Sequence, residues 1–273
     1  MRIVIKIGTS LLTTPENSLD RFFLRSIIGQ VVLLHQGGHQ IVIVSSGAVA
    51  SGRTEIKFEH EKKQIPYRQA LAAIGQPILM NAYRELLSLH GITAAQALLT
   101  NYDFTNRENF LNAKNVFESL LEKRVIPVVN ENDAIAITQL IFSDNDELAG
   151  LIASQLNADA VIILTSVDVV LVKTNGDMKV VPEIFTDTAV DIEKHIDATT
   201  SASGRGGMKT KFSIARKLMK QGIVTHIVNG TDANCIVDAV DRKSIGTKFI
   251  PEGKLSAIKR RLAHADGFAA GTA

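Results

Sequence analysis

The sequence has only one cysteine, Cys235, which excludes an internal disulfide and is typical of a protein in a reducing compartment. It has no long apolar run, because the longest, residues 160–172, contains Asp168 and is too short to span a bilayer. It has no large excess of either charge, since the formal net charge is +2. The N-terminus has too few consecutive apolar residues for a signal peptide. Together these absences predict a cytoplasmic protein that binds neither nucleic acid nor membranes.

A regular alternation is present instead. Apolar runs alternate with segments of helical period, which predicts βαβ units around a mostly parallel sheet. The predicted strands are 2–7, 40–44, 93–99, 125–129, 160–164 and 225–228, and the predicted helices are 18–36, 107–124, 147–156 and 208–221. In the first helix the predicted apolar face consists of Leu19, Phe22, Phe23, Ile27, Val31 and Leu34. Gly75 and Pro77 predict two helices or a kink between residues 67 and 91.

No internal repeat or low-complexity linker divides the chain, so we predict one domain. Residues 1–252 are expected to form it. Residues 253–273 turn basic and then rich in small residues, and they are expected to be a disordered tail or a frayed helix.

Two polar clusters follow apolar segments, Asn130–Asp133 and Ser143–Asp146. Open α/β sheets bind ligands beyond the carboxyl ends of their strands, so this pair of clusters predicts a site for a polar small molecule. Asparagine and aspartate are also ordinary turn residues at strand ends. Turn residues without a function would explain either cluster alone more readily than they would explain the two clusters together.

Two glycine-containing turns in the first half of the chain are candidates for phosphate contacts. Lys6–Ser10 combines a cation, a glycine and two hydroxyls, although no Walker A motif is present. A lysine in a strand is also commonly just an outward-facing residue. Ser45–Ala48 precedes a predicted short helix, whose first N–H groups favour anions. Turns of this kind are also common without any function.

A third turn, residues 204–207, opens the helix predicted at 208–221 and is the most informative of the three. Lys211 falls within the apolar stripe of this helix, whereas Lys209 lies on the opposite face. The stripe is formed by Met208, Phe212, Ala215, Leu218 and Met219. An inward lysine is unfavourable unless an anion meets it, although a lysine at the edge of the stripe can also extend to solvent. Phosphoryl transfer needs cations around the transferred group, so these residues fit that chemistry.

Taken together, these residues resemble the amino acid kinase family, and within it the members that phosphorylate glutamate. The resemblance runs from Arg2 to about Phe249 through a series of segments in the same order. These are IVIKIGTSLLT, IVIVSSGAVASG, QALAAIGQPILM, LLTNYDFTNRENFLNA, VIPVVNENDA, SDNDELAGLIASQLNADAVIILT and GRGGMKTK. It implies a three-layer αβα sandwich around a mostly parallel sheet. It also implies ATP- and Mg²⁺-dependent phosphorylation of the γ-carboxylate of L-glutamate, the first step of proline biosynthesis.

Carried over to the matching positions, the resemblance implies a catalytic set of Lys6, Lys211 and Asp146. The lysines would neutralise the γ-phosphoryl oxygens in the transition state, and Asp146 would orient both lysines. A γ-carboxylate is already ionised at neutral pH, so no general base is required. Magnesium would be carried mainly on the ATP phosphates, and no protein metal site is implied.

The resemblance also implies two binding sets. Glutamate would be held by Ser46, Gly47, Ala48, Asn130, Asp133 and Asn145. Asp133 suits the α-ammonium group, and the amides and hydroxyls suit the carboxylates. ATP would be contacted by Lys6, Gly8, Thr165, Ser166, Arg205, Gly206, Gly207, Met208, Lys209, Thr210 and Lys211.

The sequence departs from the family pattern in four places. After the strand at 160–164, Ser166 stands where the family has aspartate, Val169 where it has glycine and Leu171 where it has an aromatic residue. A β-branched residue in place of glycine changes the allowed backbone, so an altered rim of the nucleotide site is expected. Arg205 replaces a small hydroxyl residue, and Ser143 replaces a glycine. Finally, the chain ends where many members continue into an RNA-binding-like PUA domain.

The resemblance implies several partners besides glutamate and ATP. These are further copies of the chain in a homo-oligomer, proline as a feedback inhibitor at the glutamate pocket, and a reductase that takes up the labile acyl phosphate. Two alternatives stay open. One is another amino acid kinase, acting on acetylglutamate, aspartate or a nucleoside monophosphate. The other is a non-catalytic sensor of glutamate, proline or nucleotide.

Overall fold

The computed structural model describes residues 1–56, 65–136, 144–166, 171–174, 177–193, 207–241, 243 and 245–253. Its strands are β1 (Arg2–Ile7), β2 (Gln40–Ser45), β3 (Ala94–Leu99), β4 (Ile126–Glu131), β5 (Ala160–Thr165), β6 (Leu171–Thr174), β7 (Asp177–Val180), β8 (Glu183–Phe185), β9 (Val224–Asn229) and β10 (Thr247–Ile250). Its helices are α1 (Thr9–Leu12), α2 (Arg21–Gln36), α3 (Ala48–Arg53), α4 (Ile65–Ser88), α5 (Asn101–Thr105), α6 (Arg107–Glu122), α7 (Asn145–Gln155), α8 (Ala189–Glu193), α9 (Met208–Lys220) and α10 (Cys235–Val240). Among these helices, none combines the length and the hydropathy needed to cross a membrane.

The chain divides into two compact units. Unit 1 consists of Met1–Lys6 and Asp146–Ala273, and unit 2 consists of Ile7–Asn145. The chain therefore passes between the units at two peptide bonds, one after Lys6 and one after Asn145. The expectation of a single domain over 1–252 and a tail over 253–273 stays a prediction, and residues 254–273 lie outside the described part.

Unit 2 contains three parallel strands in the order β3-β4-β2. Helices α2, α4 and α6 pack against β2, β3 and β4 respectively. Every residue of β4 is buried, as expected for a parallel strand that is covered on both faces. The strand continues through Asn130 and Glu131, two residues beyond the predicted end at Val129. The first polar cluster therefore begins inside the sheet rather than after it.

Unit 1 contains the strands β1-β5-β9-β10-β8 in that order. The pairs β5–β9 and β10–β8 are parallel, whereas β9–β10 is antiparallel. Helix α9 packs against β9 and β10, and α10 packs against β9. A separate antiparallel pair is formed by β6 and β7, and the two residues between them, 175 and 176, lie outside the described part. The predicted α/β architecture with mostly parallel strands is confirmed.

Helix α2 differs from its prediction at its start and in its buried face. It begins at Arg21 because the side chain of Asp20 caps it, accepting a hydrogen bond from the N–H of Phe23 at 2.9 Å. Phe22, which was predicted to be inward, is 89% exposed. The buried positions are Leu24, Ile27, Ile28, Gln30, Val31, Val32, Leu34 and His35. Ile27, Val31 and Leu34 of the predicted face are therefore confirmed as buried, whereas the first turn of the helix departs from the prediction.

Helix α4 is one helix from Ile65 to Ser88, so of the two predicted possibilities, two helices or a kink, separate helices are wrong and a kink stays a prediction. Pro77 lies inside it, and because proline has no N–H, the carbonyl of Ala73 has no helical donor four residues on. Gly75 is required by packing. A Cβ at Gly75 would overlap the carbonyl oxygen of Ala48 in α3, and a Cβ at Gly52 would overlap the carbonyl oxygen of Leu71. The two helices therefore meet backbone to backbone.

The stability of the fold is expected to depend on pH through His226, a buried residue of β9. Burial, together with the smaller effect of the nearby charge of Lys248, lowers the pKa of His226 to about 4. The imidazole of His226 takes up a proton near pH 6.5 in the unfolded chain, whereas in the folded chain it stays neutral at that pH. The contribution of the neutral imidazole to the free energy of unfolding is therefore fully present above pH 6.5. This contribution is lost as the pH falls toward 4, which lowers the free energy of unfolding by about 3 kcal/mol.

Chemical denaturation of the wild type and of His226→Gln at pH 7 and at pH 4 measures this contribution. Carboxylates titrate equally in both proteins, so the difference between the two pH slopes isolates the histidine. The wild type should lose more free energy of unfolding than the variant, and parallel slopes would contradict the expectation.

Candidate active site

Asp146 is the centre of a buried charge cluster in unit 1. It is the second residue of α7 and its side chain is fully buried. Its Oδ1 lies 2.6 Å from Nζ of Lys6 in β1, and its Oδ2 lies 3.1 Å from Nζ of Lys211 in α9. Both lysines are also buried. Three predicted catalytic residues from distant parts of the sequence therefore meet through one carboxylate.

The electrostatics of this cluster favour an ionised carboxylate. Burial alone would raise the pKa of Asp146, but the ammonium groups of Lys6 and Lys211 outweigh burial and lower it below its ordinary value. With both lysines protonated, the three groups carry one net positive charge in surroundings where water screens it little. A buried net charge is unfavourable unless an opposite charge meets it. The cluster therefore suits an anionic ligand such as a phosphate.

Helix α9 places Lys211 in this position through its apolar stripe. The predicted stripe is confirmed at Phe212, Ala215, Leu218 and Met219, which are buried with Lys211, while Lys209 is exposed. The helix begins after Gly207, which has extended backbone and no capping side chain. The cap residue itself therefore supplies no side-chain acceptor to the first N–H groups of the helix. Gly207–Lys211 of the predicted ATP set form this first turn.

A network of amides and hydroxyls is the corresponding feature of unit 2. Nδ2 of Asn145 lies 2.8 Å from Oγ of Ser46, 3.0 Å from the carbonyl oxygen of Ser45 and 3.0 Å from Oδ1 of Asn130. Asn130 in turn donates from Nδ2 to Oε1 of Gln76 at 2.9 Å. Three residues of the predicted glutamate set, Ser46, Asn130 and Asn145, are thus joined by direct hydrogen bonds.

A cavity of about 250 Å³ lies in the same unit. Two further predicted residues, Ala48 and Asp133, lie on its wall. The other lining residues are Ala72, Ala73, Gln76, Pro77, Gln96, Leu98, Glu131, Asn132 and Ala134. Gln76 connects the cavity to the amide network, because it belongs to both. The acidic, amide and small side chains around this space suit a small polar molecule with a positively charged group.

The turn that carries Ser46 depends on glycine. Gly47 has φ of 104°, a left-handed conformation that residues with a side chain rarely adopt. The N–H of Ser46 donates to the carbonyl of Ile7 at 3.1 Å, which fixes this turn next to the residue before Gly8. The predicted short helix is confirmed as α3, but with six residues it carries only a small dipole. The binding roles predicted for Gly8, Gly47 and Ala48 stay predictions.

The remaining predicted ATP residues lie in unit 1 or outside the described part. Thr165 is the last residue of β5 and is buried, and Ser166 follows it. The carbonyl of Thr165 accepts a hydrogen bond from the N–H of Gly230 at 2.8 Å. Arg205 and Gly206 lie outside the described residues, as do Val169 and Ser143, two of the positions that depart from the family pattern. The roles given to all these residues stay predictions.

Three functional candidates were missed from the sequence: Gln76, Gln96 and Glu131. Gln76 stands inside the segment QALAAIGQPILM, but a glutamine in a helix has no spacing that indicates a pocket. Gln96 lies in β3, whose register with β4 is needed to bring it near Asn130. Glu131 belongs to the polar cluster that was predicted to follow the strand, but no role was predicted for it, and the structure buries it at the end of β4.

The two ammonium groups and the carboxylate of the charge cluster are better suited to contact phosphate oxygens than to bind a metal ion. Both carboxylate oxygens of Asp146 contact ammonium groups, so this residue is not available as a cation ligand. Over residues 1–56, 65–136 and the later described segments, no group of three or more His, Cys, Asp or Glu side chains could hold a metal. These residues are compatible with a magnesium ion that is bound through the ATP phosphates.

Comparison with known proteins defines the class to which this fold and site belong. The model of the amino acid kinase family matches residues 1–229, and the chain belongs to that family. It is similar to the glutamate 5-kinase of Bacteroides thetaiotaomicron, with 41% identity over 275 residues that cover 99% of this chain and 76% of the relative. It is also similar to the glutamate 5-kinase of Chlorobaculum tepidum, with 42% identity, covering 99% of this chain and 74% of the relative.

The fold also matches a solved structure. Carbamate kinase from Giardia lamblia bound to AMP-PNP superimposes with a TM-score of 0.66 and 19% identity, over 92% of this chain and 98% of that one. At this identity the match concerns the fold alone. It confirms the predicted amino acid kinase fold, an αβα arrangement around a mostly parallel sheet.

Proposed function

We propose that this protein transfers the γ-phosphoryl group of ATP to the γ-carboxylate of L-glutamate, giving L-glutamyl 5-phosphate and ADP in the first step of proline biosynthesis. The observation that carries the phosphoryl transfer is the buried contact of Lys6, Asp146 and Lys211. The acceptor is supported by the glutamate 5-kinases that are about 40% identical over nearly the whole chain.

In the proposed reaction a γ-carboxylate oxygen attacks the γ-phosphorus of ATP while the bond to the β–γ bridging oxygen breaks. No proton is transferred, which agrees with a site in which the fully buried carboxylate of Asp146 is held between two lysines. Lys6 and Lys211 stabilise the negative charge on the transferring group, and Asp146 holds both ammonium groups in place. Magnesium bound to the ATP phosphates would supply further positive charge.

We assign the binding of glutamate to unit 2. Asp133, on the wall of the cavity, would pair with the α-ammonium group. The hydroxyl of Ser46 accepts a hydrogen bond from Asn145, so its own hydrogen is available for a carboxylate of the substrate. The charge cluster and the glutamate residues are covalently continuous at the Asn145–Asp146 peptide bond.

The assay that tests this proposal measures ADP release with L-glutamate, L-aspartate, N-acetylglutamate and carbamate as separate acceptors, in the presence of ATP and Mg²⁺. Turnover that depends on glutamate, with the highest kcat/KM of the four, is expected. A clear preference for another acceptor would reassign the protein within the amino acid kinase family. Calorimetry that shows glutamate binding without ATP binding or turnover would instead favour a sensor, but the buried lysine pair gives that role no support.

Several further properties form part of the proposal. Proline would inhibit by competing at the glutamate cavity, and a reductase would consume the acyl phosphate. The protein would act in the cytoplasm as a homo-oligomer. Competition between proline and glutamate in the same ADP-release assay, and light scattering of the purified protein, measure the first and the last of these properties.

A further inference from the structure

A chain of four side-chain amides runs through unit 2 in one direction. Nδ2 of Asn145 donates to Oδ1 of Asn130 at 3.0 Å, and Nδ2 of Asn130 donates to Oε1 of Gln76 at 2.9 Å. Nε2 of Gln76 then lies 3.4 Å from Oε1 of Gln96, the longest contact of the chain. Asn130 and Gln76 are buried, at 2% and 8% exposure, so their amides have little access to solvent as an alternative partner.

Backbone groups at two points determine which way these amides face. The N–H of Glu131 can only donate, and it points at Asn130 at 2.9 Å, so the atom it meets must be Oδ1. The carbonyl of Ser45 can only accept, and it meets Asn145 at 3.0 Å, so that atom must be Nδ2. The orientation of an amide is assigned from its hydrogen-bond partners. Here both partners allow a single assignment.

This assignment limits what Asn145 can offer to a ligand. Its Nδ2 has two hydrogens and three acceptors around it, namely the Ser45 carbonyl, Ser46 Oγ and Asn130 Oδ1. Toward a ligand, Asn145 therefore acts through Oδ1, as an acceptor. An acceptor suits an ammonium group and repels a carboxylate.

The same assignment shows which hydrogen bond Gln76 has to accept. With Oδ1 of Asn130 turned toward Asn145 and Glu131, its Nδ2 is turned toward Gln76 and needs an acceptor there. Oε1 of Gln76 is that acceptor. Without it, Asn130 would keep a buried N–H group unsatisfied, and rotation of its amide would place an N–H against the Nδ2 of Asn145.

We propose that Gln76 is a positioning residue for the acceptor substrate. By accepting the hydrogen bond of Asn130, it holds Asn130 and Asn145 in the orientation in which Asn145 presents an oxygen to the α-ammonium group. Gln76 thereby contributes to the selection of an amino acid over a dicarboxylate without an amine. This inference rests on the proposed function, because it concerns the same cavity and the same substrate.

Gln76→Met tests the proposal, because methionine has a similar length and shape but no strong acceptor. We expect KM for L-glutamate to rise about tenfold, as for loss of a hydrogen bond that leaves a buried donor unsatisfied. Turnover at saturation and KM for ATP should change by less than about twofold, since neither depends on the amide orientation. The preference for L-glutamate over glutarate, which has no amine, should fall with the rise in KM.

Two further variants separate positioning from packing. Gln76→Glu keeps an acceptor for Asn130 and should restore KM for glutamate to near the wild-type value. Gln30→Met is the matched control, because Gln30 is a glutamine of α2 in the same unit with 6% exposure, outside the cavity wall and the amide chain. It should leave the preference for glutamate over glutarate unchanged.

The outcomes distinguish this inference from the proposed function. A wild type without glutamate-dependent turnover would overturn the function itself. A wild type that is active, with an unchanged KM and an unchanged glutarate preference in Gln76→Met, would overturn only the role of Gln76. If Gln76→Met does not fold, as judged by circular dichroism, Gln76→Ala replaces it, since shortening a side chain that already lines a cavity disturbs little packing.

Discussion

Replacing Lys211 with alanine is expected to lower kcat by about 100- to 1,000-fold, the range found when one preorganised group that stabilises transition-state charge is removed. KM for glutamate should change much less, because a contact made mainly in the transition state is lost from the rate rather than from binding. The structural reason is the 3.1 Å contact between Nζ of Lys211 and Oδ2 of Asp146, which holds the ammonium group in a buried position. Steady-state kinetics with both substrates varied measure the two parameters separately.

Lys220→Ala is the control for this variant. Lys220 lies on the same helix, α9, but it is exposed in the last turn and away from the charge cluster. It should keep wild-type kinetics. If Lys211→Ala raised KM for ATP or glutamate and left kcat intact, Lys211 would be a binding residue, and the transition-state role would be wrong.

Replacing Asp133 with alanine is expected to raise KM for L-glutamate by about 10- to 100-fold, as for loss of a hydrogen bond to a charged group. Asp133 lies on the wall of the 250 Å³ cavity and is not part of the Lys6–Asp146–Lys211 cluster. The effect on kcat at saturating glutamate should therefore be smaller than the effect on KM. Initial rates over a wide range of glutamate concentrations measure both.

Two further variants complete this experiment: Asp133→Asn separates the effect of charge from that of shape, and Asp232→Ala is the control. Asp133→Asn keeps the shape of the side chain and removes only its charge, so a similar rise in KM would assign the effect to charge. Asp232 is an exposed residue of unit 1 and its replacement should have no effect. An unchanged saturation curve for Asp133→Ala would place the glutamate site elsewhere in the protein.

Much of the fold follows from local sequence pattern. β1, β2, β3, β5 and β9 are dense apolar runs, and their limits were predicted within one residue at each end. The prediction failed where tertiary contacts decide. α4 is continuous across Pro77, and its close contact with α3 at Gly52 and Gly75 is a relation that no single helix reveals. β8 and β10 are only three and four residues long, too short to show a period.

Only part of the site was predicted, because only some of its residues differ clearly in polarity from their neighbours in the sequence. Lys211 stood out because a lysine within an apolar stripe is unusual, and the structure places it against Asp146 as expected. Asn130, Asn145 and Ser46 stood out as polar residues after apolar runs. Gln76 and Gln96 carry no such contrast with their neighbours. They join the site only through the pairing of β3 with β4 and the packing of α4 on β3.

The close meeting of α3 and α4 has a consequence for redesign of substrate range. Ala48 on α3 and Ala72, Ala73 and Gln76 on α4 form one side of the cavity, and the glycine contact joins both helices into a single wall. A bulkier acceptor cannot be accommodated by letting these helices slide apart. Mutant libraries that aim at larger acceptors should therefore leave Gly52 and Gly75 fixed. Diversity belongs at other residues of the cavity wall, namely Leu98, Asn132 and Ala134, while Asp133 is kept for the α-ammonium group.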